Sequence, residues 1–217
     1  MTKMTDNLRD LRVGDYEKIL RISQEAATLP EGDDVAALPY QARIIAVLAG
    51  MDEREVMNLP LAEYSALAAA SDFLRGADGH ADKTAASYQV GAFTLEPVKD
   101  VRALTTAQYI DFQTFTAAEG VHLAEVLSTM LVPRGCRYAD GYDPLEVQRA
   151  IREDMSAAEA LDLLAFFTLS FEVSIGNILT SLRVALKRVK GETRTEIKER
   201  MTRLEAVLQT VGRGLPS

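Results

Sequence analysis

The feature that most constrains this 217-residue sequence is a pair of narrow apolar stripes near its end. Ile175, Ile178, Leu182, Ala185 and Val189 follow one another at intervals of three and four residues, and so do Ile197, Met201, Leu204, Leu208 and Val211. That interval keeps side chains on one side of a helix and cannot fit a strand, whose faces alternate at every residue. Between the stripes lies Lys190-Gly191-Glu192, and Thr193 with Glu196 has the form of a capping box that starts the second helix. The pattern predicts an antiparallel helical hairpin over 175–211. Each stripe covers about two heptads, short of the three or four that mark an independent coiled coil. The seams therefore face one another or present an edge to a partner helix, and periodicity does not choose between the two. On the second reading the contact residues are Ile197, Met201, Leu204, Leu208 and Val211, flanked by Arg183, Lys187 and Arg194.

Charge follows the same division. The formal net charge is −8. The stretch 176–217 holds nine basic residues (Arg183, Lys187, Arg188, Lys190, Arg194, Lys198, Arg200, Arg203, Arg213) against Glu192, Glu196, Glu199 and Glu205, a net of +5, so the rest of the chain carries −13. An acidic balance with pI near 4.9 argues against nucleic-acid binding as the main role, since that needs basic surface to neutralise phosphates. The basic arm suits docking on an acidic surface, of this protein or of another. A solvated helix face with pairs such as Glu196 with Arg200 is the plainer alternative.

The remainder reads as mostly helical. Gly14-Asp15 opens a helix through Tyr16, Ile19 and Leu20, and 30–34 is a loop. A short apolar helix follows over 40–49, with Gly50 as its C-cap and Asp52 with Glu55 as the next capping box. Pro60 fits the first turn of a helix running through Tyr64, Leu67, Phe73 and Leu74. The Gly- and Asp-rich stretch 76–84 is the best internal boundary, and Tyr88, Val90, Phe93 and Leu95 around Gly91 predict a short strand or hairpin over 87–97. Beyond it come a capped helix from Thr105, a helix over 122–132 ended by Pro133, a loop over 134–140, and a helix started by Asp143-Pro144 with Glu146 completing the cap. From Ser156 the pattern is helical almost to Val211. The fold class is thus mainly α: an N-terminal helical lobe (1–75), a connector (76–97) and a C-terminal helical lobe (98–217). The halves echo one another weakly, with Tyr16 against Tyr109 and Pro60-Leu61-Ala62-Glu63 against Ser156-Ala157-Ala158-Glu159.

Catalytic constellations are nearly lacking. One Cys excludes an intrachain disulfide and a Cys-based zinc module, and two His exclude a three-His metal site. No dinucleotide, P-loop, metalloprotease or nucleophile-elbow motif occurs. Cys136 and His122 form a nucleophile–base pair only if the fold joins them. Asp78, His80 and Asp82 alternate in a loop that lacks the acidic density of a calcium site. Asp140, Asp143 and Glu146 form a carboxylate cluster that helix capping accounts for. No enzyme and no cofactor is expected. The apolar run 161–179 contains Asp162, Glu172 and Asn177, which favours a core helix over a membrane span. The N-terminus lacks the apolar core of a secretory signal, so the expected compartment is cytosolic.

One stretch carries a resemblance. Ile44-Ile45-Ala46-Val47-Leu48-Ala49-Gly50-Met51 is followed by Asp52-Glu53-Arg54-Glu55-Val56-Met57-Asn58-Leu59-Pro60, then by Leu61-Ala62-Glu63-Tyr64-Ser65-Ala66-Leu67 and Phe73-Leu74. An apolar helix with a small turn, a short acidic helix, Leu-Pro and a helix ending Phe-Leu resembles the tail assembly chaperones of long-tailed bacteriophages. The resemblance covers 44–74 and extends loosely to Val13-Gly14-Asp15-Tyr16. The stretches Leu104-Thr105-Thr106-Ala107-Gln108-Tyr109-Ile110-Asp111 and Leu131-Val132-Pro133-Arg134-Gly135 look like uncharacterised phage proteins of similar length. The resemblance implies a non-enzymatic protein of the host cytoplasm. Its partner would be the tape measure protein, whose apolar helices it keeps from aggregating; self-association into a homo-oligomer is the separate reading that the apolar seam and the basic arm leave open. A structural or adaptor role in the phage particle is the alternative.

Overall fold

The computed structural model describes residues 4–30, 33–76, 84–100 and 103–170, together with residue 202. It is mainly helical with a small three-stranded antiparallel sheet. The helices are α1 (Val13–Ala26), α2 (Asp34–Ala49), α3 (Glu53–Met57), α4 (Leu61–Ala70), α5 (Thr106–Ala117), α6 (Leu123–Met130) and α7 (Pro144–Asp154). A last helix, α8, occupies 157–170. The strands are β1 (Tyr88–Val90), β2 (Phe93–Pro97) and β3 (Leu131–Pro133). The expected C-terminal hairpin over 175–211 lies outside the described residues.

Local chemistry explains where most elements begin and end. Asp52 accepts from the Arg54 amide while Glu55 accepts from the Asp52 amide, so the expected capping box is present. Thr105 and Gln108 form a second box at α5. Asp143 accepts from the Leu145 amide at the start of α7, which gives the Asp half of the expected cap. Gly50 ends α2 in the left-handed region at φ 61°, a conformation that costs a residue with a Cβ about 1 kcal/mol.

Four boundaries differ from the sequence reading. Helix α2 starts at Asp34 rather than at residue 40, because Asp33 caps it by accepting from the Ala36 amide. Pro39 lies inside the helix, where it forgoes the bond to the carbonyl four residues back and crowds that carbonyl. Pro60 is the N-cap of α4, one residue before the helix rather than in its first turn. That helix ends at Ala70, and Ser71–Gly76 continues as a 3-10 turn. The helix expected over 122–132 stops at Met130, and Leu131–Pro133 becomes β3. The proline ring disfavours helical geometry at Val132, and the free edge of β2 then pairs Leu95 with Pro133 and Pro97 with Leu131. The expected strand or hairpin is a hairpin, with Tyr88 opposite Leu95 and Val90 opposite Phe93.

The main hydrophobic core draws on both sides of the 76–84 stretch. Leu11, Val13, Tyr16 and Ile19 share it with Tyr88, Leu95, Leu127, Ile151 and Leu163. A smaller cluster joins Ala42, Ile45, Ala46 and Val56 beneath Tyr64, Leu67 and Ala68.

The starts of α1 and α8 meet inside the main core. The Val13 amide donates to the Met155 carbonyl at 3.0 Å and the Ala157 amide donates to the Leu11 carbonyl at 2.7 Å. Arg12 and Ser156, the residues before the two helices, form an antiparallel bridge between these bonds. The Ala158 amide donates to the Leu8 carbonyl, and Glu159 donates its amide to the Ser156 hydroxyl while returning a carboxylate to the Ser156 amide. First-turn amides that a helix leaves orphaned are therefore met by the other segment. Gly14 permits the approach of α7, since a Cβ there would lie 3.1 Å from the Arg152 carbonyl oxygen.

Gly50→Ala is expected to lower stability by about 1 kcal/mol through backbone strain alone, because no atom lies within 4 Å of the position its Cβ would take. Urea unfolding of the two proteins measures this, and an unchanged midpoint contradicts it.

Candidate functional site

The densest polar constellation among the described residues lies where α1, α6 and α7 converge. Glu17 is 2% exposed. It sits four residues after Val13 and three before Leu20, so helix geometry puts it on the apolar face of α1. One carboxylate oxygen accepts from the Ala124 amide in the first turn of α6 at 2.9 Å. The other accepts from Arg152 Nε at 3.1 Å, with Arg21 3.7 Å away. Arg152 also pairs with Glu125. Burial pulls the Arg152 guanidinium down, but Glu125 and Glu17 together hold it above its ordinary value. Glu125 has His122 Nδ1 at 3.7 Å, while its Oε2 is buried without a hydrogen-bond partner. His122 Nε2 lies 2.9 Å from the Glu119 carbonyl oxygen.

This constellation is balanced internally. Two carboxylates face two guanidinium groups, and the first-turn amides of α6 add partial positive charge beside Glu17. The hydrogen bonds and ion pairs of Glu17, Glu125 and Arg152 join α1 to α6 and α7 as a polar clamp.

The loop between β3 and α7 is tethered separately. The Tyr138 hydroxyl donates to Asp111 Oδ2 of α5 at 2.7 Å. Burial and then the neighbouring Asp111 carboxylate push the Tyr138 phenol well above its ordinary value. Burial also raises Tyr142 and Tyr88.

Two surface depressions also lie among the described residues. A groove of about 340 Å³ between α1 and α2 is lined by Lys18, Arg21, Glu25 and Arg43, among others. Its cations are already engaged: Lys18 with Asp15, Arg21 with Glu17, and Arg43 with Glu25 at 2.5 Å. The Arg43 hydrogen bond holds the Glu25 carboxyl below its usual range. A second depression of about 420 Å³ lies over α3, where Asp52 is committed to its cap.

The sequence-derived candidates fare unevenly. Ile197, Met201, Leu204, Leu208, Val211, Arg183, Lys187 and Arg194 all lie outside the described residues, as do Asp78, His80 and Asp82. Cys136 packs near Gly141 in the β3–α7 loop, whereas His122 engages Glu119 and Glu125 at the start of α6. Asp140 closes a turn with Arg137 and Asp143 caps α7. Among the described residues no group of three His, Cys, Asp or Glu is placed to hold a metal ion, and no helix is long and apolar enough to cross a membrane. The clamp was missed because its members lie 107 and 135 residues apart in sequence. The available signal was a carboxylate on the apolar face of α1.

No family model matches the chain, and neither a curated protein nor a solved structure is found to be similar to it.

Arg152→Met is expected to cost about 3 kcal/mol, because it leaves the Glu17 charge buried without its guanidinium. Glu17→Gln costs less, and the double variant recovers part of the loss. A loss under about 0.5 kcal/mol for Arg152→Met in urea unfolding, the level of ordinary surface changes, would remove the clamp from the account.

Tyr138 also sets a pH dependence. Its phenol titrates higher in the folded than in the unfolded chain. Its contribution is therefore whole below about pH 10 and is lost as pH rises, because the unfolded chain then releases a proton that the folded chain keeps. Tyr138→Phe is expected to flatten the fall in urea midpoint between about pH 9 and about pH 11, and identical slopes contradict this.

Proposed function

We propose that this protein is a non-enzymatic phage tail assembly chaperone that binds the helical tape measure protein in the host cytoplasm during tail morphogenesis. The observation that carries the reading is the surface of the α2–α4 unit, the segment whose sequence resembles that family. It shares a small cluster of its own besides the contacts of Leu48 with the main core, and leaves Val35, Leu38, Met57 and Leu61 exposed. Apolar side chains left exposed on helices suit a protein that shields another helix, by the packing of an amphipathic helix into an apolar groove. In this reading the client helix also pairs with the seam of Ile197, Met201, Leu204, Leu208 and Val211, with Arg183, Lys187 and Arg194 meeting its acidic residues. The seam belongs to a helical hairpin over 175–211, at the end of the second of two helical lobes (1–75 and 98–217).

Co-expression with the tape measure protein, followed by affinity capture of this chain, tests the reading. The client is expected to co-purify and to become more soluble, and Leu204→Asp with Leu208→Asp is expected to cut its recovery roughly tenfold, a change of about 1.4 kcal/mol. No co-purification and no gain in client solubility would overturn the proposal. Stoichiometric presence in purified particles, read by mass spectrometry, would replace it with a structural or adaptor role.

A further inference from the structure

Helix α2 carries an apolar stripe of its own at Val35, Leu38, Ala42, Ile45 and Ala49, again at intervals of three and four residues. The second half of this stripe is roofed: Ala42 and Ile45 are fully buried in the cluster that includes Val56, Tyr64, Leu67 and Ala68. The first half is not: Val35 is 77% exposed and Leu38 46%. The sequence of this segment is acidic, with Asp33, Asp52 and Glu55 engaged in helix caps. The stretch 33–70 holds Asp33, Asp34, Asp52, Glu53, Glu55 and Glu63 against Arg43 and Arg54, and Arg43 is already paired with Glu25 outside it.

An apolar stripe in an acidic segment fits a helix with a stripe of matching interval and flanking cations. The chain contains such a segment. Over 194–213, Ile197, Met201, Leu204, Leu208 and Val211 are accompanied by Arg194, Lys198, Arg200, Arg203 and Arg213 against three glutamates. We infer that the basic stretch 194–213 docks in cis on the acidic α2–α4 segment, over Val35 and Leu38. As a helix, the stripe from Ile197 to Val211 would run about 21 Å, against about 24 Å for α2. The intervening 171–193 would give about 35 Å of reach even if wholly helical. Docked in this way, the seam is kept from water and from other chains until a competing helix displaces it. The docking is independent of which client the protein serves.

The test is photo-crosslinking of the full-length protein with p-benzoylphenylalanine placed at Val35 or, separately, at Leu61, both well exposed. An equal mixture of unlabelled and ¹⁵N-labelled chains is irradiated, digested and read by mass spectrometry. The expected products join Val35 to peptides of 194–213 within one isotopic population, and they are lost in the Leu204→Asp, Leu208→Asp variant. They also fall several-fold when salt is raised from about 0.05 M to about 0.5 M, where surface charge is screened over a few ångströms. Mixed-isotope crosslinks would assign the face to a second copy and overturn docking in cis. Crosslinks confined to other segments, or none from either position, would overturn it as well. Client co-purification is a separate readout, so failure of the docking and failure of the chaperone reading are told apart.

Discussion

A helix that begins inside a core must find acceptors for the amides of its first turn, and no water is at hand to supply them. Here two helices solve that problem for each other. The Val13 amide at the start of α1 uses the carbonyl before α8, and the Ala157 amide at the start of α8 uses the carbonyl before α1. The residues around the exchange, Leu11, Val13, Met155 and Ala157, are all 2% exposed or less. The two backbone bonds therefore lie in apolar surroundings, where breaking them leaves donors and acceptors with nothing to replace the lost partner. This exchange holds the beginning of the described chain against its end, and the intervening elements assemble around it.

The charged clamp sits one turn away and depends on that placement. Gly14 lets α7 approach α1, which brings Arg152 within reach of Glu17, and Glu17 in turn meets the first turn of α6. A buried ion pair of this kind adds little net stability over well-packed apolar side chains, but losing one member is costly. Its effect is to penalise any packing of α1 that separates Glu17 from Arg152. Backbone exchange and charge pairing thus specify the same arrangement by different means.

Much of the local structure was legible in the sequence, because caps and breakers act over three or four residues. Asp52 with Glu55, Thr105 with Gln108, Gly50 and the hairpin around Gly91 all follow from side-chain chemistry within one turn. The larger failures were non-local. Leu131 and Val132 suit a helix until the edge of β2 offers them a strand partner. The start of α2 is a local miss: Asp33 reads as part of the loop over 30–34, yet it accepts from the Ala36 amide and caps the helix, with Pro39 inside it. The clamp needed a pairing between segments more than 100 residues apart, and only the misplaced charge of Glu17 on an apolar face hinted at it.

The arrangement leaves a division of labour. Core and clamp fix α1, α6, α7 and α8, and α2 joins the main core through Leu48 while sharing a smaller cluster with α3 and α4. The whole account rests on the exchange between the two helix starts. Native-state hydrogen exchange of the Val13 and Ala157 amides tests it most directly. Both are expected to exchange together, only through global unfolding, with an opening free energy equal to the stability measured in urea. Exchange of either amide through a local opening, well below that value and independent of the other, would contradict it.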